Sequence, residues 1–448
     1  MLDVRDAEAR AAALIDSAMK AGADAADGLY AGDASTGVQV RLGELEDVSR
    51  ADGEEIGLRV FVGNRTASVS SSDLSAEALD ALVERAVAMA REAPEDPHSV
   101  LAPEERLWRG EAPNLEADDG ADPEPTALKA LAIAAEEAAR AVPGVTNSEG
   151  AGFSSGRTVI ALATSAGFAH GYTASGYGGW ASVIVGEGGE MQRDHASHSA
   201  RHFADLDPPE AIGALAGERA AARLRPGKLS SGSMPILFDP RIGGGLVSHL
   251  IAAMGGPGIA RKSSFLLGRE DEAIFGDTIT IIDDPHRRRG LKSKPFDGEG
   301  VATRRRPLVE RGRLTGWLLN AASAHQLGLE VSGHATRGAA GAPGVGATNV
   351  HMEPGSATPA ELMADVTQGV YVTELIGQGV NPVTGDYSRG ASGFRIENGE
   401  IAGPVAEITI AGNLIDMYRN LTVANDLVFR RTTNVPTLRI DGMTVAGA

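Results

Sequence analysis

Cysteine is missing altogether from this 448-residue chain, which removes disulfides, thiolate nucleophiles and every zinc or iron site that depends on a sulfur ligand. Chemistry here has to use oxygen and nitrogen groups. Aromatic residues are scarce too, at 4%. Positive charge is in deficit: 41 Lys and Arg stand against 60 Asp and Glu, a formal net charge of -19. Such a field repels phosphate backbones and argues against direct nucleic-acid binding. Nowhere do about 18 consecutive apolar residues occur, the length a membrane span requires. The opening stretch, MLDVRDAEARAAALIDSAMKAG, scatters charges through its apolar residues, so no export signal is visible. The expectation is a cytoplasmic protein with no membrane partner.

Glycine is what the chain has in excess, 57 of 448 residues against a usual share of about 7%. Together with 42% hydrophobic residues, this implies two or three domains with a real core and many tight turns and close backbone approaches. Ala12, Leu14, Ile15, Ala18 and Met19 recur at helical spacing over residues 5–22, which end at Gly22. Short β-branched segments follow near 36–42, 46–51, 56–62 and 66–70, parted by Gly43, Gly53 and Gly63-Asn64. Ser75 then opens a second helix to about residue 91. Residues 93–125 shift to Pro, Glu and Asp, the profile of a solvated connector. The same order recurs after it: a helix over 126–141, four or five strands between 145 and 203, and a helix over 209–224.

Beyond residue 227 strands are expected near 234–238, 278–283, 301–310 and 314–320. Thr358-Pro359-Ala360-Glu361 starts a helix, with the hydroxyl and Glu361 placed to form a capping box, and it should stop at Gln368-Gly369. VYVTELIG resumes as a strand, residues 406–417 join a strand to a short helix, and 437–440 close the chain as a strand. The expected fold class is α+β: two-layer helix-plus-antiparallel-meander units at residues 1–113 and 114–227, then a larger sheet-rich domain at 228–448.

The candidate chemistry is sparse. His195, His198 and His202 would share a helical face and could then hold a metal, but the flanking residues alternate like a hairpin. On a strand His195 faces away from the other two, which sit about 13 Å apart. Arg287-Arg288-Arg289, with Lys292 and Lys294, and Arg304-Arg305-Arg306 are the concentrated positive runs; they either dock an acidic partner or substrate or form a solvated loop and strand edge. IGGGL (242–246) and GAAGAPGVG (338–346) lack the residues of a phosphate loop and read as turns and mobile loops. Ser263, Ser264 and His249 show no triad spacing, and Asp283-Asp284 point to opposite sides if they lie on a strand.

Residues 228–448 are more specific. MPILFDPRIGGGLVSHLIAAMGG, ARKSSFLLG, PFDGEGVATRRRPLVERGRLTGWLLN, LIGQGVNPVTGDYSRGASGFRIENGEIAGPVAEITIAGNLIDMYRN and Asn425-Asp426 resemble the PmbA (TldE) branch of the TldD/PmbA family. The resemblance covers most of the chain and is strongest in this last half, which it implies is a TldD/PmbA-type domain. It implies a cytoplasmic zinc-dependent peptidase built from two related subunits, TldD and TldE, acting on unfolded peptides. The TldD branch carries HExxxH on a helix, two histidines holding zinc, the glutamate activating water and a later cysteine adding a ligand.

In this chain the first histidine of that motif matches His249, the glutamate position is Leu250 and the second histidine position is Met254. Leucine cannot take a proton from metal-bound water, and a thioether suits zinc poorly. The resemblance therefore implies a non-catalytic subunit with no zinc or other cofactor of its own. Zinc is expected in a TldD-like HExxxH partner, in a heterodimer for which a homodimer substitutes when the chain is isolated. His249 is either a packed helix residue or a vestigial ligand. Asn381, Asp386, Tyr387, Ser388 and Arg389 are candidates for a substrate or partner surface, the other reading being a structural loop shaped by Gly385 and Gly390. A different class of function is a stand-alone homodimeric regulator, matching the family's older label as a modulator of DNA gyrase; a third is hydrolysis by some independent mechanism.

Overall fold

A computed structural model describes residues 1–447. Asp3 caps the first helix, α1 (Val4–Lys20), its carboxylate accepting from the Asp6 amide at 2.9 Å, and Ala7, Ala11, Leu14, Ile15 and Ala18 form the buried stripe. Three strands follow, β1 (Ala25–Arg41), β2 (Glu44–Val62) and β3 (Arg65–Ser71), before Ser75 caps α2 (Ala76–Glu92). Turns form at Gly43 and Gly63, but Gly53 sits inside β2, paired with Asp33, so the short strands expected over 36–62 are parts of two long ones. A strand-interior glycine weakens a ladder without breaking it while the neighbouring strand holds.

The second set comprises α3 (Pro125–Arg140), β4 (Val145–Thr164), β5 (Phe168–Val185), β6 (Gln192–Ala200) and α4 (Pro209–Ala222). Three strands, not four or five, fill residues 145–200. Both meanders join one antiparallel sheet of order β3-β2-β1-β4-β5-β6, β1 lying beside β4 from Asp27↔Thr164 to Val40↔Ala151. The pleat then sorts the faces. Tyr30, Val159 and Ala161 pack with α1 and α2 at one end, and Val38, Val40, Ala151 and Phe153 pack with α3 and α4 at the other. Leu29 and Leu162 turn to the opposite face and join the large core of the C-terminal half. Each such large apolar side chain contributes about 1.5–3 kcal/mol on burial.

The C-terminal half runs β7 (Gly232–Phe238), α5 (Pro240–Ala253), α6 (Gly256–Ala260), β8 (Ile281–Asp283), β9 (Arg306–Glu310), β10 (Arg313–Leu314), α7 (Ala321–Leu327), β11 (Ala335–Thr336), β12 (Gly344–Val345) and β13 (Val350–Met352). It continues with α8 (Pro359–Met363), β14 (Gln368–Ile376), β15 (Asp386–Glu397), β16 (Glu400–Asn413), α9 (Leu414–Arg419), β17 (Leu421–Val423), β18 (Thr433–Asn434) and β19 (Leu438–Ala446). One sheet has the order β16-β15-β14-β7-β19-β17, and a further β16–β19 pairing closes five of its strands into a ring. A second sheet orders β10-β9-β8-β13-β18. The α+β class with a sheet-rich C-terminal region is what the sequence led one to expect.

Two elements there differ from expectation. The capping box forms, Glu361 N donating to Thr358 Oγ1 at 3.2 Å and Thr358 N donating to Glu361 Oε2 at 2.7 Å, yet the helix ends at Met363. It stops early because Val366 turns inward to pack with Leu237 and Ile396. The strand expected over 314–320 is reduced to β10 and a bridge from Leu318 to Gly255, and Asn320 instead caps α7. Among the described residues no helix is long and apolar enough to cross a membrane.

Candidate functional site

The helix that carries His249 begins at Asp239, whose carboxylate accepts from the Arg241 amide at 2.8 Å, with Pro240 in the first turn. The glycine string 242–246, expected as a turn or mobile loop, is the interior of this helix. Gly243 answers to packing: a Cβ there would stand 3.0 Å from Val435 Cγ2 and 3.2 Å from Leu438 Cδ1. Close contact with the strand behind outweighs the roughly 1 kcal/mol that a helical glycine costs.

His249 is half-buried on α5 and meets the ring of Tyr387 edge-on, with centroids 6.2 Å apart at 75°. Burial, and then the nearby Arg389 cation, hold its imidazole below the usual histidine range. Leu250 and Met254 have no exposed surface, and both belong to the main core. Met254 sits at the C-terminal cap of the helix, its amide donating to Leu250 O at 2.9 Å.

The segment from Gly379 leads into β15, whose Tyr387 meets His249 of this helix. Its hairpin is close-built: a Cβ on Gly379 would land 1.6 Å from Ser388 O, and the Ser388 amide donates to Gly379 O at 2.7 Å. Asn381 Oδ1 accepts from the Val383 and Thr384 amides at 2.9 and 3.2 Å. Asp386 accepts from Thr384 Oγ1 at 2.6 Å and Asn413 Nδ2 at 3.2 Å, contacts that hold its carboxyl below the usual range. Asn381 and Asp386 thus shape the turn, and Ser388 is exposed. Tyr387, expected on the surface, is instead only 2% exposed, because its alternating position on β15 turns it into the core. Its buried hydroxyl has no hydrogen-bond partner, nor has Arg389 Nε, and burial pushes the phenol up to about 12. Of the candidate residues, therefore, the structure brings His249, Tyr387 and Arg389 together and leaves the rest apart.

Zinc needs several nitrogen, oxygen or sulfur donors converging on one point. Beside His249 the motif positions supply two hydrocarbon-rich core residues, and the charged neighbour is a guanidinium, which repels a dication. Among the described residues no group of three His, Cys, Asp or Glu is arranged to hold a metal. The residues present do not fit zinc.

His195, His198 and His202 do not converge either. His195 is exposed on β6, His198 Nδ1 accepts from the Asp207 amide at 3.0 Å, and His202 Nε2 lies 3.0 Å from Glu116 O. Ser264 Oγ donates to Ala253 O at 2.7 Å, with no histidine near.

Sequence reasoning missed a buried charge cluster where the N-terminal sheet meets the C-terminal half. Asp27 accepts from Arg59 and Arg337, and Arg59 reaches on to Glu299 at 3.5 Å; all four side chains are at most 3% exposed. The two guanidinium groups outweigh burial and hold Asp27 below the usual carboxylate range. Burial dominates at Glu299, whose carboxyl is pushed up to about 7 against the pull of Arg59. These residues come from four separate segments, and the one local signal was the DGEG string at 297–300.

Three domain models of one family match in register: the PmbA/TldA metallopeptidase domain 1 over residues 29–90, the central domain over 118–224 and the C-terminal domain over 231–447. Metalloprotease PmbA of Escherichia coli O157:H7 is 40% identical over 417 residues, which is 92% of this chain and 90% of that protein. The chain belongs to the PmbA/TldD metallopeptidase family. A protein from Bacteroides thetaiotaomicron described as a candidate modulator of DNA gyrase superposes with a TM-score of 0.91 at 28% identity, covering 98% of this chain and 99% of that one. TldE from Thermococcus kodakarensis shares the fold, with a TM-score of 0.87 at 22% identity over 97% and 99% of the two chains. Of the three positions His249, Leu250 and Met254, it is His249 that stands where α5 meets Tyr387 of β15.

Proposed function

We propose that this chain is a PmbA/TldE-type subunit that lends peptide-binding surface to a zinc peptidase while an HExxxH-bearing TldD-like partner performs the hydrolysis. The observation that carries this reading is the setting of His249: a half-buried imidazole near the Arg389 cation, with Leu250 and Met254 sealed in the core where a base and a second ligand are required. A partner also has somewhere to dock. Residues 44–55 of β2 pair with β1 alone, since β3 meets only Ile56–Val62, and residues 44–53 are exposed on both faces, with Leu45 and Val48 uncovered. Such an open edge is a template for another chain.

That edge would serve equally in a homodimeric regulator, so the test is reconstitution. The chain and an HExxxH-bearing relative are co-expressed, copurified and assayed on casein alone and together. A stable complex with EDTA-sensitive cleavage only in the mixture supports the reading. Cleavage by this chain alone, or self-pairing that excludes the relative, overturns it.

A further inference from the structure

β6 is the outer strand of the N-terminal sheet, paired with β5 on one side only. Its odd-numbered residues turn their main-chain groups to the open side: the His195 amide donates to Asp194 Oδ1 at 2.8 Å and its carbonyl accepts from Arg219 Nη1 at 3.2 Å. By the same alternation Ser197 and Ser199, both exposed, present an N–H and a C=O outward.

Two clefts lie along this edge and share Arg431, one of about 480 Å3 and one of about 280 Å3. The smaller is lined by Arg201, Arg287, Arg288, Arg289, Arg430 and Arg431 against a single acid, Asp205. Glu116 pairs with Arg288 and Arg289, Asp205 with Arg289, and Asp207 with Arg430. Arg201 is engaged by main-chain carbonyls, including Ser175 O at 2.7 Å. Arg287 lies over the Phe429 ring, 3.4 Å from its centroid, and neither it nor Arg431 has a carboxylate partner among the described residues. In a chain of net charge -19 this cleft carries a local surplus of cations. Lining the larger cleft, Thr373 is 5% exposed and its Oγ1 lacks a partner.

We propose that the open edge of β6 takes up an extended peptide segment bearing aspartate or glutamate, its main chain pairing at Ser197 and Ser199 and its carboxylates seated against Arg287 and Arg431. A strand edge pairs with main-chain amides, which a nucleic acid lacks, and carboxylates on alternate residues of a strand recur at about 7 Å along the edge whose Ser199 lines the same cleft as both arginines. The choice of a peptide as occupant rests on the peptide-handling reading above.

Fluorescence anisotropy on the isolated chain tests it without asking for cleavage, so failure of the partner reading and failure of this one remain distinct. Two labelled peptides of equal length and β propensity carry Glu or Gln at alternate positions; a third repeats the Glu peptide with alternate amides N-methylated. The Glu peptide should bind about tenfold tighter than the Gln peptide, a preference that shrinks with added salt. N-methylation should abolish binding, and Arg287→Glu at the half-buried position with Arg431→Glu at the exposed one, folding of the variant checked by circular dichroism, should erase the preference. Equal binding of the Glu and Gln peptides overturns the proposal, as does a preference that survives the double variant. Displacement of the Glu peptide by an oligodeoxynucleotide of matching charge also overturns it, in favour of a phosphate site.

Discussion

The rings of His249 and Tyr387 meet edge to face with centroids 6.2 Å apart, and Arg389, two residues further along the same strand, is the charge the imidazole senses. Burial and a cation both disfavour a proton on a histidine so placed. It is poised neither to share a dication nor to be recharged by a neighbouring acid.

That relationship is measurable by NMR titration of the His249 ring. Its pKa should lie below 6.5, and Arg389→Gln should raise it part of the way back, burial accounting for the remainder. A wild-type value at or above 6.5 contradicts the arrangement.

Rewriting the motif should fail. Leu250→Ala is expected to cost about 2–5 kcal/mol through the cavity it leaves, and Leu250→Glu more, because an unpaired carboxylate is buried there. The double variant Leu250→Glu, Met254→His should melt well below the parent by calorimetry and gain no EDTA-sensitive activity.

Asp27 is the shared counter-ion of two buried arginines. Asp27→Ala leaves Arg59 and Arg337 without it and should destabilise the chain by about 3–5 kcal/mol in urea denaturation. A loss below about 1 kcal/mol would show that water or another acid compensates.

The raised carboxyl of Glu299 predicts a pH dependence of definite sign. Between 4.5 and about 7 the folded chain holds a proton that the unfolded chain has released, so this residue's contribution is full below 4.5 and is lost as pH rises towards 7. The loss is on the order of 3 kcal/mol. Asp297, also raised by burial, acts in the same direction. Glu299→Gln should flatten part of the slope of stability against pH, since the amide oxygen still accepts from the Ala321 amide that now donates to Glu299 at 2.7 Å.

What was legible in the sequence was local. The stripes of α1 and α2 and the capping box at Thr358 depend on neighbours three or four residues away, and they formed where spacing placed them. The length of β2 was not legible, because residues 44–53 are exposed on both faces and show no alternation to read. Helix α5 hid behind three glycines, of which Gly243 and Gly244 lie against Thr433, Val435 and Leu438, nearly two hundred residues away. Tyr387 lay in a polar string that signalled surface, and only the pairing of β15 turns it inward. The union of β1 with β4, the charge cluster at Asp27 and the arginine cleft beside β6 each join distant segments, which no window along the chain can reveal.

The central claim is that His249 stands alone. Zinc content of the purified chain, measured by plasma mass spectrometry after equilibration with zinc and exhaustive dialysis, tests it most directly beside a His249→Ala variant. The account predicts the same substoichiometric zinc in both and no casein cleavage by either. One zinc per chain in the parent, lost in the variant together with an EDTA-sensitive activity, would contradict it.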